Sequence, residues 1–369
     1  MAEIHTVRRS RAQPKIAEAG ADAALITCPA NVRYLSGLTS SNAAVLLPAQ
    51  GPGVLATDSR YAETAQRECP DIEIRTEQHP EPALARLAVD RGWPILAFEA
   101  QGMTVERHSV LSSLDGGPQL VPLGHVIEAL RMIKDETELD LLARACAITC
   151  EAFAAILGDI RPGRTERNLA VLLERAMVDL GAEGLAFDTI VASGPNGAIP
   201  HHSPGDRAFE AEDLITIDCG ARFGGYHADM TRTVALGEPA GWQREIYKLV
   251  LEAQLAGVQA AAPGADVGDV DSCARDIITA AGHGQDFQHG LGHGVGLEVH
   301  EAPIMGPGRT GTLKDRVPVT VEPGVYLPGM GGVRIEDTLV VRAATVGSAT
   351  GAAGPAEILT TTTKELLVL

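Results

Sequence analysis

The stretch HGLGHGVGLEVHE, residues 289 to 301, holds His289, His293 and His300, three of the chain's eleven histidines, with glycines at 290, 292, 294 and 296. Imidazole is a common metal ligand, general base and polar donor. Glycine lets the backbone bend sharply or pass close to a ligand. One histidine of this stretch can therefore reach a bound ion while another points at a substrate. His293 and His300 are candidates for those two roles, and His289 reads as a structural histidine.

Four carboxylates fall in two hairpins. LITIDCGARFGGYHADMTRTV has β-favouring runs either side of a short turn with two glycines. A turn centred between Phe223 and Gly224 would set Asp218 opposite Asp229. Their Cβ atoms would then lie about 4.5–5.5 Å apart, which destabilises like charges. VPVTVEPGVYLPGMGGVRIEDTLVV repeats the device, because an odd loop centred on Gly329 sets Glu322 opposite Glu336. A one-residue slip would spoil either pairing. Each acid alone can be a solvated strand residue, and Arg334 can neutralise part of the second pair. The neighbours Ile217, Val321 and Ile335 nevertheless argue against full exposure of all of them. One or two hard divalent cations satisfy the arrangement better. Carboxylate oxygens with at most one imidazole suit manganese-like metals, and bridging carboxylates hold two ions about 3.5–4 Å apart. Beside such a site the Gly- and Pro-rich loop GPNGAIPHHSP, residues 194 to 204, becomes a substrate clamp with His201 and His202 at its tip.

The elements that must position these residues divide the chain at about residue 126. Residues 1–126 alternate helix-like and short apolar runs (KIAEAGADAALIT, AAVLLP, GVLATDSRYAETAQREC, GWPILAFEA), as an α/β domain does, with PDIEIRTEQHPEP as a surface connection. Residues 127–369 state one order twice: helix, helix, then strands. The second helix of the first half opens at Thr165 as N-cap. The low-complexity stretch ATVGSATGAAGP, residues 344 to 355, reads as a loop before the last strand.

A chain of 369 residues exceeds one core's usual size, in keeping with two domains. A formal charge of −18 repels phosphate backbones and anionic membrane surfaces, so nucleic acid and membrane are not expected partners. No run approaches eighteen continuous apolar residues and the start lacks an export signal, so a soluble cytoplasmic protein is expected. The six cysteines include no C-x-x-C pair and suit a reducing compartment. Cys146 and Cys150 are spaced to share a helix face and read as buried apolar thiols.

These residues together resemble the proline-peptidase branch of the M24, or pita-bread, metallopeptidases, the group of Xaa-Pro aminopeptidase (aminopeptidase P) and Xaa-Pro dipeptidase (prolidase). HGLGHGVGLEVHE fits the branch signature at every position. ITIDCGARFGGYHADMTRT, TVEPGVY and GVRIEDT are close matches to its other metal segments, and NVRYLSGLTSSNAAVLL with LATDSRYAE looks like the creatinase-type N-terminal domain. The resemblance implies a creatinase-like α/β domain followed by a pita-bread catalytic domain with a pseudo-twofold repeat. It implies two divalent ions per subunit, manganese first and cobalt or zinc as alternatives. Asp218 would hold one ion, Asp229 and Glu336 would bridge both, and His293 with Glu322 would complete the other. Glu322 would act as general base, His201 and His300 would stabilise the tetrahedral intermediate, and Arg334 would belong to the active-site surroundings. Short peptides with proline at the second position would be the substrates, and a homodimer the assembly. The complete ligand set argues against a non-catalytic binding module and against creatinase-type amidinohydrolases, which work without the metal pair. The N-terminal domain argues against methionine aminopeptidases. No motif separates dipeptidase from aminopeptidase.

Overall fold

Short strands alternating with helices build the N-terminal part of the computed structural model, which describes residues 2–343 and 356–369. The loop expected at 344–355 lies outside the described residues. The chain divides into two units, Met1–Arg131 and Met132–Leu369. In the first, strands Ala23–Ile26, Ala43–Pro48, Val54–Thr57, Ile95–Phe98 and Gln119–Pro122 share a six-stranded mixed sheet with Glu73–Thr76. That last strand falls within PDIEIRTEQHPEP, which is not the bare surface connection expected from its charges. It pairs in parallel with Val54–Thr57 at the sheet edge, where charged side chains can stay in water and discourage further pairing.

The second unit repeats its element order. Helices Glu136–Ile156 and Glu166–Asp179 precede strands Ile190–Ser193, Leu214–Cys219 and Met230–Ala235. Helices Gly241–Ala260 and Val267–Ala280 precede Gly292–Gly294, Glu301–Met305, Val317–Val321 and Asp337–Val341. The caps follow the sequence: Asp135 and Glu138 form a capping box, and the Thr165 hydroxyl accepts from the Asn168 N–H. Each helix pair covers its own sheet. Phe153, Leu173 and Met177 pack in one core with Ile215, Ile217 and Val234, and Val250, Val270 and Ile278 pack in the other with Val319, Val321 and Leu339. The segment Glu136–Asp159 is apolar and long enough to cross a membrane. Its buried stripe of Leu139, Leu142, Cys146, Phe153 and Ile156 marks it as a core helix.

The two hairpin registers had different outcomes. In the first, Phe223 pairs with Tyr226 and Arg222 with His227, so the turn is centred between Gly224 and Gly225, at φ +57° and +82°. Two consecutive residues with positive φ are what a two-residue type I′ turn requires. Asp218 consequently faces Thr231 and not Asp229. The correction shifts the pairing by two residues, which preserves the face, so Asp218 and Asp229 remain diagonal neighbours. In the second hairpin, the pairs Val321 with Asp337 and Gly324 with Arg334 keep the register in which Glu322 opposes Glu336.

The hairpins meet along a seam. The Glu336 N–H donates to Thr231 O (3.1 Å), the Thr338 hydroxyl to Asp229 O (2.7 Å) and the Thr233 hydroxyl to Arg334 O (3.0 Å). Behind it lies the buried guanidinium of Arg232, which donates to Asp337 Oδ1 (2.8 Å), to Thr231 O (2.9 Å) and to Glu336 O. Asp337 also accepts from Gln254 (2.9 Å) and Lys364 (2.6 Å). Burial opposes its charge, yet Arg232 and Lys364 hold its carboxyl below the ordinary value. Removing one partner of a buried pair leaves a charge without its counter-ion. Arg232→Met is therefore expected to destabilise the protein by about 3 kcal/mol in urea unfolding, and a loss below about 1 kcal/mol would contradict this role for the seam.

Candidate metal centre

Asp218, Asp229, His293, Glu322 and Glu336 line one cavity of about 490 Å³ together with His201, His300 and Arg334. One ligand atom from each of Asp229, His293 and Glu336 can be chosen so that all three lie within 4.8 Å of one another. His293 Nε2 is 3.7 Å from Asp229 Oδ2 and 3.4 Å from Glu322 Oε1. Its aim follows from the backbone. His293 Nδ1 lies 3.0 Å from Gly294 O, an acceptor only, so Nδ1 carries the hydrogen in the neutral ring and Nε2 presents its lone pair to the acids. The neighbouring glycines serve strand packing more than ligand approach: a Cβ on Gly292 would overlap the Thr320 carbonyl, and one on Gly294 that of Ala302.

Arg334 draws down both Glu322 and Glu336 through space, as the alternative open from sequence allowed, but hydrogen-bonds neither. The seam lays its strand along the first hairpin, and its guanidinium donates to Asp218 Oδ2 (2.7 Å), Thr231 Oγ1 (3.0 Å), Tyr326 Oη (2.9 Å) and Pro200 O (3.3 Å). Tyr326 Oη is in turn 2.8 Å from His289 Nε2, while His289 Nδ1 is 2.8 Å from Gly290 O. His289 thus braces the tyrosine that braces Arg334, in keeping with a structural role. The Thr231 hydroxyl donates to Glu336 Oε2 (2.7 Å).

The protein's own groups leave this site with unbalanced negative charge. Burial, reinforced by the neighbouring carboxylates, pushes Asp229 and Glu336 well above the usual carboxylate range. Burial raises Asp218 as well, against the pull of Arg334. Burial also acts on Glu322, but its contact with His293 prevails and brings its carboxyl down to about 2. Asp218 Oδ1 is buried with no hydrogen-bond partner. An orphaned carboxylate oxygen among clustered acids and one imidazole fits hard divalent cations.

His201 and His300 stand exposed at the cavity mouth, with the His300 ring edge-on to His293 at 4.4 Å between centroids. His202 also lines the cavity and is held by an anchor that sequence reasoning missed. Fully buried Glu166 accepts from the Ser193 N–H (2.8 Å) and hydroxyl (2.7 Å), Asn196 (2.9 Å) and the Gly205 N–H (3.0 Å), and its Oε2 lies 2.8 Å from His202 Nε2. One carboxylate therefore holds both ends of the loop that carries His201. Only its place after the Thr165 N-cap was visible in sequence. Thr231 and Tyr326 had a weak signal, each lying an even number of residues from an acid in its own hairpin.

Residues 140–343 match the profile of Metallopeptidase family M24, and residues 8–133 that of the Creatinase/Prolidase N-terminal domain. The chain belongs to metallopeptidase family M24. This metallopeptidase is 38% identical to the Xaa-Pro dipeptidase of Pyrococcus furiosus over 87% of its own length and 90% of the relative's. The solved Xaa-Pro dipeptidase from Bacillus anthracis superposes with a TM-score of 0.92 at 36% identity, covering 99% of this chain and 100% of that one. The X-Pro aminopeptidase from Thermotoga maritima gives 0.86 at 36% identity, covering 96% and 99%. The architecture is thus a creatinase-type N-terminal domain followed by a pita-bread metallopeptidase domain.

Asp229→Asn tests the charge balance. A carboxyl whose folded pKa is raised contributes stability below its unfolded value and loses that contribution as pH rises through the folded value. The metal-free M24 enzyme should therefore lose melting temperature from pH 5 to pH 8, and Asp229→Asn should lose less while abolishing metal-dependent activity. A variant with near-normal turnover and full metal content would contradict the assignment.

Proposed function

We propose that this metallopeptidase is a Xaa-Pro peptidase, hydrolysing the bond between an N-terminal residue and the following proline in short peptides. The observation that carries the reading is the convergence of Asp218, Asp229, His293, Glu322 and Glu336 on one cavity with His201 and His300 at its mouth. The likeness to proteins named Xaa-Pro dipeptidase and X-Pro aminopeptidase supports the proline preference.

Asp218, Asp229, His293, Glu322 and Glu336 would hold two divalent ions, which when bound supply Lewis acidity and acidify a water toward neutral pH. Oxygen-rich donors with a single imidazole favour manganese among the candidates. Glu322, ionised at neutral pH, takes the water's proton on a carboxylate oxygen. The hydroxyl adds to the carbonyl carbon of the residue before proline. His201 and His300 hydrogen-bond the carbonyl oxygen as its charge grows. The C–N bond then breaks as the proton reaches the proline nitrogen. That nitrogen carried no hydrogen in the peptide, so a subsite must recognise the ring by shape, and Phe187 and Ile190 offer apolar wall for it. A homodimer in the cytoplasm belongs to the same reading, and six free thiols suit a reducing setting.

With Mn²⁺ loaded, the enzyme is expected to release alanine from Ala-Pro peptides and to stop on addition of chelator. His300→Ala should keep both ions and lose about 100-fold in turnover. Loss of both ions in that variant would move His300 among the ligands, and silence toward every Xaa-Pro peptide with metal bound would overturn the proposal.

A further inference from the structure

The wall of the cavity beside the acids is aliphatic. Strands Gly292–Gly294 and Glu301–Met305 pair so that His293 faces Ile304. Cross-strand partners share a face, so Ile304 stands next to the imidazole that meets the acids, and it is 40% exposed at the same cavity. Val299 precedes His300 on that wall. Clustered apolar side chains left in water at a site mark ligand contact.

The cation supply is the complementary observation. Among the described residues, Arg334 is the one Arg or Lys lining the cavity, and its guanidinium is already engaged by Asp218, Thr231, Tyr326 and Pro200 O. His202 is held by Glu166, and His289 lies between Gly290 O and Tyr326. One extended residue spans about 3.3–3.6 Å, so a dipeptide bound for cleavage must bring its terminal carboxylate into this cavity, close to the wall beside His293. On that aliphatic wall it would exchange water for apolar contact with no free guanidinium or ammonium as partner, and a desolvated anion without a partner is costly. A peptide that continues past proline presents a neutral amide at that point and can lay its next side chain on the aliphatic wall.

Resting on the Xaa-Pro reading above, we infer that this site selects peptides of three or more residues, Xaa-Pro-Yaa, with an uncharged group directly after the proline, over free Xaa-Pro dipeptides. The test compares kcat/KM of the Mn²⁺-loaded full chain on Ala-Pro, Ala-Pro-NH₂ and Ala-Pro-Ala. The amide and the tripeptide are expected to exceed the dipeptide by about tenfold or more, chiefly through KM. Equal or better cleavage of Ala-Pro overturns the inference while leaving the Xaa-Pro reading intact. Release from none of the three overturns both. Ile304→Lys supplies the missing cation at an exposed position and is expected to raise kcat/KM on Ala-Pro several-fold relative to Ala-Pro-NH₂. An unchanged ratio between those two substrates would show that the carboxylate does not lie at this wall, and would overturn the inference.

Discussion

Like charge buried at a seam is the constraint on which the rest of this structure depends. Asp218, Asp229, Glu322 and Glu336 are drawn into one cavity whose single guanidinium among the described residues, Arg334, is bound to Asp218. Left to themselves such groups would repel or take up protons, as the raised values of Asp229 and Glu336 express. They stay together because the backbones that carry them are bound by other means. Thr338 holds the Asp229 carbonyl and Thr231 the Glu336 backbone N–H, while the Arg232–Asp337 pair closes the rear. The fold thus prepays the assembly of a site whose charge is completed by metal, in keeping with the rule that local conflict concentrates where function sits.

The repeated element order makes this convergence possible. Each half of the second unit builds its own core from a helix pair and a sheet, and each contributes one acidic hairpin. Two stable scaffolds then face each other with their costly groups between them. The mouth is furnished separately: Glu166 anchors the loop that carries His201, and the Gly-spaced strand carries His293 and leads on to His300. Asp218 and His293 sit on strands, Asp229, Glu322 and Glu336 in the short breaks between paired strand segments, and the exposed histidines on loops and turns, where access serves substrate.

What was legible in the sequence followed local periodicity. The second hairpin could be registered because one odd loop is centred on a glycine, Gly329, at φ +77°. The first was misregistered because Phe223-Gly224-Gly225 offers two turn centres, and only the structure shows both glycines in the left-handed region. The error spared the face, since an even slip preserves it. Long-range partners left no such trace. Thr231 meets Glu336 across 105 residues and Glu166 meets His202 across 36, and a threonine in a strand or a glutamate after an N-cap has an ordinary local reason to be there. Glu73–Thr76 was hidden for the opposite reason, its charges reading as loop where they mark an edge strand.

The central claim is that the buried acids form one dinuclear site. The direct measurement is a titration of the metal-free chain with Mn²⁺, followed by electron paramagnetic resonance for stoichiometry and by melting temperature for linkage. Two ions bound per chain, magnetically coupled, with a melting temperature that climbs as they bind, is the predicted result. Saturation at a single ion, or two uncoupled ions that leave the melting temperature unmoved, would contradict it.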